Sequence, residues 1–318
     1  MDVTAIGEIL IDLTQTGVNA AGVPQFSANP GGAPANAAVA AARLGAETAF
    51  WGKVGDDSFG AYLRRVLAEN GVDHTGLHVG SQPTTMAVVA VDETGERSFR
   101  FLRGADRDIC PEEVDEDAVL RTKILHFGSV SLTAGMSRSA TIFAARTAHR
   151  NGRLVSYDPN YRAALWASKA EAAEWMTIPL PLVDIIKLAE EELPLLTGTA
   201  DLEKGTRILE ERGVSLIMVT LGGEGVFCRW QGSGWHQPGI PVKVADTNGA
   251  GDTFLGAVLS RLCLRGERPL EGLTRLELKD ILAFANRAAA FTCSRSGAIP
   301  AMPTLAELFD GKGQPRLP

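Results

Sequence analysis

Short apolar runs alternate with amphipathic stretches along most of the chain. Runs of strand length predict β-strands at residues 3–11, 47–54, 124–127, 154–157, 183–187 and 216–221. Stretches with helical spacing predict helices at residues 33–44, 58–70, 137–150 and 202–212. Strands that alternate with helices of this length indicate a mostly parallel sheet covered by helices on both faces. Ligands bind such a sheet outside the carboxyl ends of its strands.

Two segments interrupt this alternation. Residues 14–26 are polar, contain glycine and have no helical period. Residues 84–103 contain two β-rich runs on either side of a turn at 92–95, which is typical of a β-hairpin. Because both segments leave the predicted sheet near strand ends, we expect insertions at about 13–27 and 84–105 to form a small β-sheet that covers the ligand site as a lid. A peripheral flap with no part in closure is the alternative.

Composition narrows the class of protein. The chain has 318 residues, of which 45% are hydrophobic, and a net charge of −7 at pH 7. This length accommodates one large α/β domain with an attachment, or two domains. The acidic balance argues against a broad nucleic-acid surface, and no apolar run approaches the length of a membrane span. Four scattered cysteines without a CxxC pair, and no visible signal peptide, lead us to expect a cytoplasmic protein with reduced thiols.

The most informative segment is residues 246–254, Asp-Thr-Asn-Gly-Ala-Gly-Asp-Thr-Phe. Two glycines flank an alanine and an apolar run follows, so the segment predicts a loop that enters the first turn of a helix. Unpaired N–H groups at such a turn bind anions, and small residues let a phosphate approach closely. Asp252 fits a base that takes the proton of an attacking hydroxyl while the N–H groups hold the phosphoryl group. The alternative is a first-turn acid favoured by the helix dipole.

Other polar residues and glycine turns fall where the predicted strands end. They are Asp12, residues 31–36, residues 158–162, residues 220–225, and Lys187 followed by Glu190. Each has a structural explanation by itself, as a turn cap, as turn chemistry or as a solvated charge. If they lie together at one edge of the sheet, these residues supply positive charges, backbone N–H donors, a base and a carboxylate that could bind a metal ion. These are the components of phosphoryl transfer.

On these motifs the chain resembles the ribokinase-like, pfkB-type carbohydrate kinases, and among them most of all the fructokinases. One family signature corresponds to residues 31–36 and continues through residues 43–60, and the second corresponds to residues 246–254. Fructokinase-like stretches are residues 7–12, 101–106, 126–129, 158–162 and 165–166. The resemblance implies an α/β fold of three layers, α/β/α, with a mostly parallel central sheet and a small β-sheet lid. It also implies a single kinase domain over residues 1–310, followed by a tail at 311–318.

The resemblance implies a role for each candidate site residue. Asp252 would be the catalytic base for a primary sugar hydroxyl, beside an anion hole made by Gly249, Ala250 and Gly251. Arg162 would meet the transferring phosphate. The residues that would bind the sugar are Asp12, Gly31, Gly32, Asn36, Asp252 and, from the lid, Arg103.

The implied ligands are a small-molecule sugar and ATP, with Mg²⁺ and a monovalent cation such as K⁺. Glu190 would lie near hydrated Mg²⁺, and Asp246 occupies the region of the monovalent cation site. The residues that would line the nucleotide site are Lys187, Glu190, Thr220, Gly222, Gly225, Gly249, Gly251 and Asn286. Family members usually carry Asn where this chain has Lys187. The lysine occurs in fructokinase-like members, and there it would contact the ATP phosphates.

The resemblance favours a ketohexose, most of all fructose, phosphorylated on its primary hydroxyl. A 2-keto-3-deoxygluconate kinase or another sugar kinase is the alternative, because the Arg103 guanidinium also suits the carboxylate of a sugar acid. A nucleoside kinase would need a pocket for a base, and no aromatic pair near residues 31–36 indicates one. Retention of Asp252 and its glycines disfavours a non-catalytic sensor. The apolar hairpin at 84–103 predicts a homodimer that packs through the lid.

Overall fold

The computed structural model describes residues 1–91 and 97–309. Its strands are β1 (Val3–Ile6), β2 (Leu10–Val18), β3 (Pro24–Gly31), β4 (Thr48–Gly55), β5 (Val72–Asp73), β6 (Leu77–Gly80), β7 (Met86–Val91), β8 (Arg97–Leu102), β9 (Ile124–Gly128), β10 (Leu154–Asp158), β11 (Ile185–Ala189), β12 (Leu216–Thr220), β13 (Gly225–Trp230) and β14 (Ser233–Pro238). Its helices are α1 (Ala33–Arg43), α2 (Ser58–Glu69), α3 (Glu116–Arg121), α4 (Met136–Arg150), α5 (Lys169–Thr177), α6 (Leu193–Thr197), α7 (Leu202–Glu211), α8 (Ala250–Cys263), α9 (Arg275–Cys293) and α10 (Leu305–Leu308).

Ten strands form the central sheet, in the order β14-β13-β12-β11-β10-β9-β1-β4-β5, with β6 paired to β4. All pairs from β12 to β5 are parallel, whereas β13 and β14 form an antiparallel edge. Side chains of each strand alternate between the two faces. Ile186 packs against the face covered by α4 to α7, and its neighbour Ile185 packs against the face covered by α8 and α9. The predicted α/β class with a mostly parallel, doubly covered sheet is confirmed.

A second sheet of four strands has the order β3-β2-β7-β8. Strands β2 and β3 form one antiparallel hairpin, β7 and β8 pair as another, and β2 joins the hairpins through a parallel pairing with β7. The prediction of a small sheet built from two insertions is confirmed, although the first insertion starts at Leu10 and ends at Gly31 rather than spanning 13–27. The predicted turn at 92–95 and the tail at 311–318 lie outside the described residues.

The prediction of one continuous strand over residues 3–11 is wrong. Strand β1 ends at Ile6 and pairs within the central sheet, whereas β2 begins at Leu10 and belongs to the small sheet. The chain turns at Gly7, whose φ of +152° accompanies a close approach to Pro34. A Cβ at Gly7 would lie 2.8 Å from Pro34 Cγ, so the crossing between the sheets depends on this glycine. Asp12 is therefore inside a strand of the small sheet and does not end a strand of the central one.

The remaining predicted elements differ from the observed ones by a few residues at their ends. Lys187 lies in the middle of β11 and not at its end, because β11 starts two residues later than predicted and extends to Ala189. Its side chain is therefore buried within the sheet layer. Among the helices within residues 1–91 and 97–309, none has the length and apolar character needed to cross a membrane.

Candidate active site

Two cavities are lined by the turn at residues 249–252, which consists of the N-cap Gly249 and the first three residues of α8. The polar cavity has a volume of about 120 Å³, and its lining includes Glu8, Asp12, Gly32, Asn36, Arg162, Gly249 and Asp252. The apolar groove has a volume of about 230 Å³, and its lining includes Thr220, Gly222, Gly225, Ala250, Gly251, Phe254 and Asn286. Gly249 and Asp252 border the polar cavity, whereas Ala250 and Gly251 border the apolar groove. One turn of backbone therefore separates a ligand in one cavity from a ligand in the other.

The turn needs glycine at two positions. Gly249 caps α8 in the left-handed conformation, with φ of +74°. A Cβ at Gly251 would lie 2.8 Å from Lys187 Nζ, so a side chain there would displace the ammonium group. Ala250 N–H donates to Thr247 O at 3.3 Å, and no acceptor within the described residues takes the N–H groups of Gly251 or Asp252. These free donors at the start of a helix form an anion site.

Asp252 is partly buried, and its carboxylate is held by one side chain. Asn36 Nδ2 donates to Asp252 Oδ2 at 2.8 Å. Burial and the charge of Asp158 raise the pKa of Asp252, while Lys187 and the hydrogen bond from Asn36 oppose the rise. A carboxylate with a raised pKa is a stronger base, and its second oxygen is left for a proton donor. Asn36 Oδ1 is buried and has no partner among the described residues, so it too is available to a ligand.

Lys187 places a buried positive charge beneath the turn. Its Nζ lies 2.9 Å from Asp158 Oδ2, and both side chains are less than a tenth exposed. Burial by itself lowers the pKa of Lys187, but the carboxylates of Asp158, Glu192 and Asp252 outweigh burial and raise the pKa above its usual value. Because the ammonium stays charged and lies beside Gly251, it adds a cation to the anion site formed by the backbone.

Glu192 is a structural member of this cluster that the sequence analysis did not identify. Its carboxylate accepts hydrogen bonds from Tyr161 N–H and from Ala189 N–H, the latter at 2.7 Å. It thereby ties the loop after β10 to the end of β11. Burial and the charge of Asp158 raise the pKa of Glu192. Three consecutive glutamates, 190–192, occur here, and nothing in the sequence distinguishes the buried one.

Asp12 and Arg162 lie on the polar cavity with opposite charges. Burial raises the pKa of Asp12 to about 6, with Asp252 adding to the rise and Arg162 opposing it. Gly31 lies against the Asp12 carboxylate, and Gly32 stands at the N-terminus of α1. Arg162 is exposed, and its guanidinium donates to Tyr161 O at 3.2 Å. Among the described residues that line this cavity, Arg162 is the only one with a positively charged side chain.

Arg103 is not among the residues that line the polar cavity. Its guanidinium makes two contacts with Asp106 Oδ2, from Nη2 at 2.6 Å and from Nε at 2.9 Å. Nη1 also donates to Thr133 Oγ1 at 2.8 Å. In this structure the guanidinium is therefore committed to protein partners. The expectation that Arg103 holds a sugar hydroxyl has no support in this placement, because a buried carboxylate within reach competes for the same donors.

Most of the residues predicted to bind the nucleotide line the apolar groove. Thr220 ends β12, and Gly222 and Gly225 form the turn that follows. Asn286 on α9 donates from Nδ2 to Pro238 O at 2.8 Å, which fixes its amide at the groove wall. The apolar lining of the groove comes from Ile240, Val242, Val244 and Phe254. A flat aromatic ring bordered by a few polar groups is the kind of ligand that such a groove accommodates.

Glu190 and Asp246 are the candidate residues for cations. Glu190 is exposed directly after β11 and lines neither the polar cavity nor the apolar groove. Asp246 accepts from Asn248 N–H at 3.1 Å and from Gly297 N–H at 3.0 Å, and so joins the turn before α8 to the loop after α9. No group of three or more His, Cys, Asp or Glu side chains in residues 1–91 and 97–309 is arranged to hold a metal ion.

Comparisons with known proteins extend over nearly the whole chain. Residues 1–305 match the pfkB family of carbohydrate kinases. The chain is 40% identical over 315 residues to Fructokinase-1 of Zea mays, an alignment that covers 96% of both. It is 33% identical to fructokinase with bound ATP from Xylella fastidiosa, with a TM-score of 0.90 and 96% of both chains covered. It is 34% identical to fructokinase of Vibrio cholerae O395 in its fructose, ADP and calcium ion bound form, with a TM-score of 0.85 and 96% and 97% of the two chains covered.

Proposed function

The chain belongs to the pfkB family of carbohydrate kinases, and from this premise we propose that it transfers the γ-phosphoryl group of ATP to the primary hydroxyl of fructose. The polar cavity is the proposed sugar site, and the apolar groove is the proposed nucleotide site. The observation that carries the proposal is the turn at 249–252, which borders both cavities. Relatives named fructokinases, one with ATP and one with fructose and ADP bound, support the choice of substrates.

The proposed reaction uses groups that already surround this turn. Asp252 takes the proton of the primary hydroxyl as its oxygen attacks the γ-phosphorus, and the bond between that phosphorus and the bridging oxygen of ADP breaks. Asn36 orients the base through its hydrogen bond to Oδ2. The N–H groups of Gly251 and Asp252, with the ammonium of Lys187, stabilise charge on the transferring group. The products are the sugar phosphate and ADP.

The residues present fit Mg²⁺ in the way that is usual for kinases. Mg²⁺ bound to a nucleotide takes one or two protein carboxylates and completes its shell with phosphates and water, so a cluster of three carboxylates is not required. Glu190, exposed next to β11, would supply the carboxylate. When bound, the ion neutralises phosphate charge. We also propose a K⁺ site between the two loops that Asp246 joins.

We propose that residues 1–310 act as one kinase domain in the cytoplasm, with the small sheet as its lid. All four cysteines, Cys110, Cys228, Cys263 and Cys293, are free thiols, which suits a reducing compartment. Three residues of the small sheet, Asp12, Ala87 and Phe101, line the polar cavity. A sheet in this position would close over a bound sugar.

Fructose is expected to be the better substrate by more than tenfold in kcat/KM over 2-keto-3-deoxygluconate. The polar cavity is lined by the carboxyl groups of Asp12 and Asp252, and its one described cation, Arg162, is the proposed partner of the phosphate. A sugar carboxylate would meet the like charge of these two aspartates. The measurement is kcat/KM for both sugars, with ribose, tagatose and a nucleoside as further acceptors, in the presence of Mg-ATP. A tenfold preference for the sugar acid would replace fructose as the proposed substrate.

Arg162→Ala is expected to lower kcat strongly and to change the KM for sugar only modestly. The guanidinium is exposed at the mouth of the polar cavity, where it meets charge on the transferring phosphoryl group rather than neutral hydroxyls. Steady-state kinetics of the variant with fructose and ATP give both parameters. Arg207→Ala, on the distant helix α7, is the control. Near-normal kcat with a raised sugar KM would make Arg162 a sugar ligand instead.

The protein is expected to be a homodimer that packs through the small sheet. Apolar side chains of this sheet and its turns are exposed, with Val18 at 62%, Phe26 at 45% and Leu102 at 47%. Burial of such side chains against a second copy is favourable, and a small hairpin sheet gains stability from it. Light scattering at micromolar concentration should give a dimer mass, and Val18→Asp/Phe26→Asp should give a monomer. Leu264→Asp, equally exposed but far from the sheet, should leave the mass unchanged; a monomeric parent protein would refute the prediction.

A further inference from the structure

We infer that Asp106 is a specificity-determining residue, which excludes sugar acids by holding the Arg103 guanidinium behind the wall of the polar cavity. The inference rests on the proposed function, because it concerns which sugar the kinase admits. The chemical class that it excludes is a 2-keto-3-deoxy sugar acid, which resembles a ketohexose in length but ends in a carboxylate.

The side chain of Arg103 leaves the backbone on the cavity side. Phe101, near the end of β8, lines the polar cavity, whereas Leu102 is 47% exposed on the opposite side. Arg103 comes directly after β8, which ends at Leu102, and its hydrogen bonds show the side that its side chain takes. Its Nη1 donates to Val130 O at 3.3 Å, and Val130 is itself a lining residue. The guanidinium is thus one residue away from the space that a sugar would occupy.

Asp106 keeps the guanidinium from that space. The Asp106 side chain is 1% exposed, and its Oδ2 contacts two nitrogen atoms of Arg103. The position of Asp106 does not depend on Arg103 alone, because its Oδ1 also accepts from the Thr85 hydroxyl. Thr85 Oγ1 in turn accepts from Gly104 N–H at 2.7 Å, which fixes the start of the turn that carries Asp106. The carboxylate is therefore preorganised to hold the arginine.

Release of the guanidinium would change the charge of the cavity. Glu8 lines the cavity, and burial raises its pKa to about 8, while the charges of Asp106 and Arg103 act on it in opposite directions. While the pair is intact, its charges cancel and the cavity keeps an excess of carboxyl groups. A free guanidinium would offer two parallel N–H donors to a carboxylate, which is the geometry that arginine favours. The cavity would then attract the sugar acid that it now rejects.

The test is a set of full-length variants assayed with fructose and with 2-keto-3-deoxygluconate. In Asp106→Asn, the shape and the Thr85 contact can persist while the charge is lost, and in Asp106→Ala both are lost. We expect the ratio of kcat/KM for the sugar acid to kcat/KM for fructose to rise at least tenfold in both, mainly through a lower KM for the acid. The double variant Arg103→Met/Asp106→Ala should lose this gain, because the gain requires the guanidinium. Thr133→Val removes one contact of Arg103 but leaves the ion pair, so its ratio should equal that of the parent protein.

Binding of the sugar acid is measured in parallel by calorimetry, without ATP. An unchanged ratio and unchanged binding in a folded Asp106→Asn or Asp106→Ala protein would overturn the inference, and so would a gain that survives in the double variant. If Asp106→Ala does not fold, as circular dichroism would show, Asp106→Asn decides. If the parent protein phosphorylates neither sugar, the proposed function fails, whereas tighter binding of the acid by the Asp106 variants would still support the role of Asp106.

Discussion

Asp252→Asn should lower kcat by a factor on the order of 10² to 10⁴ or more, which is the usual contribution of general-base catalysis. Asparagine has nearly the same size and can still accept the hydrogen bond from Asn36, but it cannot take a proton. Sugar and nucleotide binding should therefore persist. In the parent protein, burial and the neighbouring Asp158 raise the pKa of Asp252, so activity should fall as the pH drops through that raised value. The variant should lose this acid limb.

Thermal stability separates this role from a structural one. The folded-state pKa of Asp252 is above its unfolded value, so above the unfolded pKa the ionised carboxylate costs the folded protein stability. Asp252→Asn should therefore melt at the same temperature as the parent protein or at a higher one. If Asp252 served only the helix dipole, the variant would instead lose about 0.3–1 kcal/mol and keep its turnover. Asp117→Asn, at an exposed first-turn acid of α3, is the matched control. Turnover within a few-fold of the parent would exclude Asp252 as the base.

The parts of the site that follow from local sequence were predictable. The glycine pattern and apolar run of residues 246–254 define a loop and a helix, and α8 begins at Ala250 with Gly249 as its cap. The meeting of Asp158 with Lys187 follows from the pairing of β10 and β11 as parallel neighbours, because the register that pairs Tyr157 with Ile186 brings the next residues, Asp158 and Lys187, side by side. Neither result requires knowledge of side-chain packing.

The break after Ile6 was not predictable from the apolar pattern. Residues 3–11 are all buried and are mostly apolar, with Thr4, Gly7 and Glu8 as the exceptions, and a strand buried on both faces need not alternate. What divides them is the close approach of Pro34 to Gly7, a contact between segments that are distant in sequence. The pattern of hydrophobic residues indicates that a residue is buried, but it does not indicate in which sheet the residue lies.

The hydrogen-bond partners of long charged side chains could likewise not be predicted from the sequence. Asp106 is only three residues from Arg103, yet the pairing depends on Thr85 and Thr133, which come from other parts of the chain. In the same way, the burial of Glu192 depends on the N–H group of Tyr161, about thirty residues away. An arginine or glutamate reaches many positions from one backbone site, so its role is decided by which partner is buried within reach.

Lys187→Met should lower kcat by a factor on the order of 10² to 10³, the usual effect of removing one preorganised group from a developing charge. The ammonium lies beside Gly251, at the proposed position of the transferring phosphoryl group. It also lowers the pKa of Asp252, so its loss should raise that pKa further and move the acid limb of the activity profile to higher pH. A purely structural lysine would not move the profile. Kinetics from pH 5 to pH 9 give both readouts, and Lys204→Met, at an exposed lysine of α7, is the control.

The same variant should be less stable, and a second substitution should separate stability from catalysis. Removing one partner of a buried ion pair costs about 3–5 kcal/mol, since Asp158 would remain charged and unpaired. The loss should grow as pH rises through the raised pKa of Glu192, because this carboxylate is then ionised without the counter-ion that Lys187 supplies. The double variant Lys187→Met/Asp158→Asn also removes the unpaired charge of Asp158. The amide oxygen introduced at position 158 can still accept a hydrogen bond from Asn160 N–H, as Asp158 Oδ1 does in the parent protein. The double variant should recover most of the stability but not the rate. Full recovery of kcat along with stability would mean that Lys187 only balances Asp158 and takes no part in phosphoryl transfer.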